Sequence, residues 1–340
     1  MFQHSGRAWS DFFGEFIEYA CLGTMADLMQ LQGENRIIAK LGMMKLKQTP
    51  SPVFRELTRQ LFVRSFTCDT IYYKIAPIFN AIGPIDDPNK AVQLLLVSAS
   101  DERTIADLIS YNERRKVITA DQFFLVDARI QSQNLHENQV IVVQGELHEG
   151  IIEILASRIT EKYKKPSIVI TQEGKGSARS VPNSGFSIIE TIKRASGNLK
   201  SFGGHQAAAG LSIEVERLSA FRYEIQQSAL LEPAIRPSIT FDHEINIDQF
   251  QDEMYEDLFL LEPFGNGNRK PVYYSKDTII TKWKPFGKQD AHMNIKTKKN
   301  KAILFYHNNQ FNALPDQRID FLYKPSFNHN KKEFIVTEYC

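Results

Sequence analysis

The stretch from Asp101 to Gln133 contains neither proline nor glycine, and the texture of the chain changes soon after it. Ile105, Leu108, Ile109 and Tyr111 gather on one side of this run and charges fill the rest, so it predicts one long, partly exposed helix. From about Asn138 the pattern becomes a short apolar run at 140–143, a helical pattern at 151–163 and a second apolar run at 167–171. Strand, helix, strand in that order predicts an α/β unit. A helix of this length ahead of such a unit reads as a connector between domains, and the chain must be divided around it.

The 340 residues are long enough for two or three domains. Before the long helix, Phe12, Phe13, Phe16, Ile17 and Ala20 recur at helical spacing over residues 11–29. A second helical pattern covers 53–68, and Asp86-Asp87-Pro88 reads as a helix start. A buried opening helix with no opening core reads as the tail of a domain whose beginning is absent. After the α/β unit, Glu232-Pro233 and Arg236-Pro237 mark a linker. Short apolar segments at 272–274, 302–306 and 334–336 then predict a small β-barrel. The expected divisions are 1–100, 101–135, 136–234 and 235–340. No run is apolar enough for a membrane span and no signal peptide opens the chain. Cys21, Cys68 and Cys340 offer neither a disulfide framework nor metal-ligand spacing, which fits a reduced, cytoplasmic setting. With a net charge of +1, any nucleic-acid surface has to be a local patch.

Four places could carry chemistry. Gly203-Gly204-His205, followed by Gln206 and three alanines, reads as a glycine turn whose N–H groups line an anion-binding concavity, with His205 as a directional donor. Gly174-Lys175-Gly176-Ser177-Ala178-Arg179-Ser180 reads as a loop after a strand. It offers hydroxyls at Ser177 and Ser180 and a guanidinium at Arg179 that can grip phosphate in a bidentate way. An ordinary glycine turn and a solvent-facing loop are the competing readings of these two segments. Asp27, after the first helix, is a carboxylate of the kind that suits manganese or magnesium, although one carboxylate makes no site and a turn hydrogen bond explains it as well. Finally, Lys282, Lys284, Lys288, Lys296, Lys298, Lys299 and Lys301 are interleaved with Trp283, Phe286 and His292. Positive charge with stacking aromatics is how small barrels hold single strands; a solvated hairpin is the alternative.

Taken in order, several segments resemble the RecJ family of the DHH phosphoesterase superfamily. They are Leu22-Gly23-Thr24-Met25-Ala26-Asp27-Leu28 with Gly33-Glu34-Asn35-Arg36, Asn80-Ala81-Ile82-Gly83 with Asp86-Asp87-Pro88, and His148-Glu149-Gly150 with Ala156-Ser157-Arg158. Gly176 to Ser180, Gly203-Gly204-His205, and Leu261 to Asn268 complete the series. The resemblance implies the end of a DHH domain, a connecting helix, an α/β DHH-associated domain and an OB-like barrel. It implies Mn2+- or Mg2+-dependent hydrolysis of single-stranded DNA from the 5′ end, in recombination and repair. By position, Asp27 would be a metal ligand, and Ser177, Arg179, Ser180, Gly203, Gly204 and His205 would face the phosphate, His205 beside the reaction. The barrel would grip the trailing strand.

The sequence also departs from the family pattern. The Asp-x-Asp and Asp-His-His motifs have no counterpart, Pro84 stands where the family has arginine, Glu153 and Ala178 where it has glycines, and Leu147 where it has tryptophan. The expectation is therefore a truncated, split or degenerate RecJ-like chain with little activity alone, completed in one version by a separate chain carrying the missing half. The rival expectation is a non-catalytic single-strand-binding or complex-forming module.

Overall fold

The computed structural model describes residues 9–81, 89–96, 101–235, 240–287, 290, 292–305, 314, 316–328 and 331–339. The landmark at 82–88, including Pro84, and also Lys288 and Cys340, lie outside the described residues. In chain order the helices are α1 (Trp9–Ala26), α2 (Gly33–Gln48), α3 (Pro52–Gln60), α4 (Cys68–Thr70), α5 (Ala76–Asn80), α6 (Asn89–Leu96), α7 (Glu102–Ser132), α8 (Ile152–Tyr163), α9 (Ile188–Arg194), α10 (Leu218–Ala229) and α11 (Asp252–Leu260). Strands β1 (Ile141–Gly145), β2 (Ser167–Thr171), β3 (Lys175–Arg179), β4 (Leu199–His205) and β5 (Ala208–Ile213) form one sheet. Strands β6 (His243–Glu244), β7 (Tyr273–Ile279), β8 (Lys282–Phe286), β9 (His292–Lys296), β10 (Lys301–Phe305), β11 (Arg318–Asn328) and β12 (Lys331–Tyr339) form the other.

The chain divides into two compact units, one of Met1–Pro77 with Ile239–Cys340, the other of Ile78–Val97 with Asp101–Ser238. In the first, α1 buries Ile17, Cys21, Leu22 and Met25, and α2 buries Ala39, Gly42, Met43 and Leu46. The backbones approach so closely that a Cβ on Gly42 would lie 2.2 Å from the Cβ of Cys21. Two segments that the sequence shows as separate landmarks meet here. The Arg36 guanidinium donates to the carbonyls of Leu261 (2.8 Å), Glu262 (3.3 Å) and Pro263 (3.3 Å). The Leu31 N–H donates to Asn266 O at 2.7 Å, and the Asn266 amide donates to Leu28 O at 2.9 Å. Gly33-Glu34-Asn35-Arg36 and the segment 261–268 are thus two halves of one joint that fixes the helices to the seven-stranded sheet.

That sheet has the order β6-β7-β11-β12-β10-β9-β8. β6 and β8 end the order unpaired with each other among the described residues, and the sheet is OB-like, as the sequence predicts. Its core is Phe250, Tyr255, Met293, Ile295, Leu304, Phe321, Tyr323, Phe334 and Val336. The Asp248 carboxylate accepts from the N–H groups of Lys298 (3.2 Å), Lys299 (2.9 Å) and Asn300 (3.2 Å), which fixes the turn between β9 and β10.

In the second unit, α7 covers nearly the whole breaker-free run, and its N-cap Asp101 accepts from the Arg103 and Thr104 N–H groups. The five-stranded sheet has the order β1-β2-β3-β5-β4. β1 and β2 are parallel, joined through α8, and the remaining pairs are antiparallel. One face packs Val142, Ile168, Ile170, Ala178, Ala209 and Leu211 against Ile188 and Ile192 of α9 and Phe221 and Ile225 of α10. On the other face, Ile141, Val143 and Val169 pack against Leu155, Ala156 and Ile159 of α8 and Val126 and Ile130 of α7. This second cluster includes no residue of β5 or β4. That end of the sheet face is left open.

Candidate nucleic-acid interface

Two corrections to the sequence reading define the first surface. The segment expected as a loop at 174–180 contains strand β3, and the expected glycine turn at 203–205 is the end of edge strand β4. Runs of glycine, alanine and serine carry no apolar alternation, so strand pairing rather than pattern makes these segments strands. The register then aligns the candidates in rows. Ser177 and Gly203 both lie opposite Gly210, and Arg179 and His205 both lie opposite Ala208. Directly opposed residues share a face, and so do residues two apart on a strand. Ser177, Arg179, Gly203 and His205 therefore face the same way, across a floor of Ala208 and Gly210. With strands about 4.8 Å apart, the Arg179 and His205 backbones are separated by about 10 Å. Side chains reaching from both can meet on one phosphate.

The polar groups on this face are oriented. Arg179 donates from Nη1 to Ala178 O at 2.9 Å and to Ser177 Oγ at 3.4 Å, and from Nη2 to the Glu153 carboxylate. His205 Nδ1 accepts from the Ala207 N–H at 3.3 Å, which leaves the proton of a neutral imidazole on Nε2, free to donate. Gly204 points to the other face, where a Cβ would lie 2.3 Å from Ala208 O. Ser180 is not brought to the open face. Its buried hydroxyl donates to Phe186 O at 2.8 Å and its N–H to Ala207 O at 2.9 Å, so it braces the sheet edge. His148 caps the turn before α8, its Nδ1 accepting from the Gly150 N–H at 3.1 Å.

The second surface lies on the seven-stranded sheet. Lys282 and Lys301 both oppose Lys296, Lys284 opposes Asn294, and Phe286 and Phe305 both oppose His292. One face thus presents a lysine row and an aromatic row. The His292 ring lies 5.2 Å from each of Phe286 and Phe305. Trp283 belongs elsewhere: alternation along β8 turns it inward, against the hydrophobic core, and it takes no part in this row. Phe305, 43% exposed, is the aromatic that sequence reading missed, because only the strand register shows it beside His292. Beyond Phe305 the face runs into a cleft of about 660 Å³ whose lining includes Tyr73, Lys74, Arg269, Lys324 and Ile335. These residues escaped notice because they are scattered along the sequence.

A divalent ion such as Mn2+ or Mg2+ needs several converging oxygen ligands. Asp27 lies exposed in the turn after α1, its N–H donating to Gly23 O at 3.1 Å. Among the described residues no group of three or more His, Cys, Asp or Glu side chains is placed to hold a metal ion. The residues present do not by themselves fit such an ion.

Comparison with known proteins agrees with this architecture. Residues 137–229 match the model of the DHHA1 domain and residues 241–335 that of the RecJ OB domain. The single-stranded-DNA-specific exonuclease RecJ of Bacillus subtilis is 28% identical over 293 residues, covering 83% of this chain and 37% of that protein. The protein of the same name from Haemophilus influenzae is 29% identical, covering 83% of this chain and 52% of its own length. The crystal structure of RecJ in complex with Mn2+ from Thermus thermophilus shares the fold, with a TM-score of 0.82 over 96% of this chain and 50% of that one, at 24% identity. The chain is thus of the class that couples a DHHA1 domain to an OB domain. Within that class it corresponds to the C-terminal portion of RecJ, and it spans about half or less of the curated relatives' length. Among the described residues no helix is long and apolar enough to cross a membrane.

Proposed function

We propose that this chain is the strand-gripping part of a RecJ-like single-stranded-DNA exonuclease acting in DNA recombination and repair. The observation that carries the reading is the register that sets Arg179, Gly203 and His205 on one sheet face whose β5–β4 end is uncovered, with the buried Ser177 hydroxyl accepting from Arg179. Arg179 and His205 Nε2 supply donors to a phosphate, and the two opposed glycines, Gly203 and Gly210, leave bare backbone for a strand to approach. The lysine and aromatic rows on the seven-stranded sheet hold further nucleotides by charge and stacking, without reading sequence.

Hydrolysis is a separate matter. The sequence contains no Asp-His-His triplet, and the donor set at Asp27 does not fit a metal ion. We therefore expect binding without cleavage from these 340 residues alone, and 5′→3′ cleavage with Mn2+ or Mg2+, in the cytoplasm, where a DHH half is supplied within the same chain or by a partner chain. The non-catalytic binding module is the second reading, and the same donor set favours it. Fluorescence anisotropy with labelled oligothymidylate and a duplex control tests the grip. Micromolar or tighter, salt-sensitive binding of the single strand, weakened by Arg179→Gln and by Lys282→Glu with Lys284→Glu, is expected. Manganese-dependent degradation by the pure chain would overturn the claim that it only grips.

A further inference from the structure

Arg179 is already occupied by an anion. Its Nη2 donates to Glu153, which projects from the first turn of α8 beside the open face. The guanidinium is mostly enclosed, with 19% of its side chain exposed, whereas the Glu153 side chain is 71% exposed. Glu153 makes no other side-chain hydrogen bond or ion pair among the described residues, so it is free to swing away. A phosphate arriving at Arg179 must displace this carboxylate or sit next to it. In either case a negative charge stays within one side-chain length of the ligand. Lys175, two rows along β3, is likewise paired with a carboxylate, that of Glu149. The cations of this strand are thus screened rather than bare.

Screening of this kind discriminates by ligand charge. An internal phosphodiester carries one negative charge, and a terminal monophosphate carries about 1.5 to 2 at pH 7. Repulsion from a nearby carboxylate scales with that charge, while bidentate donation from Arg179 is similar for both. We propose that Glu153 is a specificity-determining residue, tuning the Arg179 site toward internal phosphodiesters and against terminal monophosphates. The inference rests on the proposed strand-gripping role of this face.

The test measures binding of two oligothymidylates, identical except for a 5′-phosphate or a 5′-hydroxyl, at pH 7.5 and low salt. The proteins are the wild-type chain, Glu153→Gln, Arg179→Gln, the double variant, and Glu216→Gln as a remote control for charge removal. Glu153→Gln should tighten the 5′-phosphorylated strand by roughly threefold to tenfold more than the 5′-hydroxyl strand, as expected for one charge pair near a surface. The selective gain should vanish in the double variant and be missing from Glu216→Gln. Equal gains for both strands, or a gain that survives without Arg179, overturn the specificity role. No binding by wild type or Glu153→Gln overturns the strand-gripping reading and the inference with it. Binding that depends on Arg179 but ignores Glu153→Gln overturns the inference alone.

Discussion

Adjacent glycines at the end of β4 have opposite duties, and substituting each separates fold from function. Gly204 has φ +153°, and a Cβ there would lie 2.3 Å from Ala208 O and 2.5 Å from the Ala209 Cα. Both are backbone atoms of β5, so no rotamer change relieves the clash and Gly204→Ala must push β4 off its partner. Strain at such a backbone angle costs about 1–3 kcal/mol and overpacking about as much again, or roughly 2–6 kcal/mol together. For a unit of roughly 150 residues this lowers Tm by about 5–20 °C. At Gly203 no heavy atom lies within 4 Å of the Cβ position and φ is not positive. Gly203→Ala should melt like wild type, or slightly higher because the unfolded chain loses freedom. Its methyl would nonetheless stand on the open face, in the row next to that of Arg179 and His205. Holding a phosphate away from one charged donor costs about 1.5 kcal/mol, so oligothymidylate affinity should fall about tenfold. Calorimetric melting and anisotropy on both variants decide the matter. If Gly203→Ala melts as early as Gly204→Ala, or binds as wild type does, the assignment of the open face is wrong.

Other perturbations follow from the same geometry. Lys282→Glu with Lys284→Glu should flatten the slope of log K against log salt by about 1.4 or more, since each phosphate contact on a single strand contributes about 0.7; an unchanged slope would remove β8 from the interface. Burial pushes the Cys21 and Cys68 thiols up to about 12, so both should resist iodoacetamide at pH 8 until urea is added, as read by peptide mapping. Asp320 is held below the usual carboxylate range, first by the Tyr274 hydroxyl and then by the Asp277 N–H at 2.8 Å. A depressed folded-state pKa stabilises above the ordinary carboxylate value and the benefit is lost as pH falls through the depressed one. The Tm gap between wild type and Asp320→Asn should therefore narrow on acidification from pH 6 to pH 3. Arg36→Ala should loosen the joint to the 261–268 segment and cost about 2–4 kcal/mol, measured by urea unfolding, because three carbonyls lose a charged donor.

What could be read in advance depended on whether the signal was local. The long helix at Glu102–Ser132 needed only the absence of breakers and a cap, both written within the segment. The strand-helix-strand unit was legible because β1, α8 and β2 are each apolar enough to declare their period. Strands β3 and β4 read as a loop and a glycine turn because their sequences, Lys-Gly-Ser-Ala-Arg and Leu-Lys-Ser-Phe-Gly-Gly-His, show no period of their own. They are strands because β5 lies between them. The residue types of the candidate face were visible, but their convergence was not, since it comes from two registers that meet at Ala208 and Gly210. Trp283 shows the reverse case. The alternation Lys282, Trp283, Lys284 implies opposite faces, whereas proximity in sequence groups all three. In the sequence Glu153 stands out only as a departure from a glycine. Its bearing on Arg179 required knowing that the first turn of α8 and the end of β3 lie side by side. A residue that controls a neighbour's charge leaves no mark in its own segment, and the strand register and helix packing are what expose it.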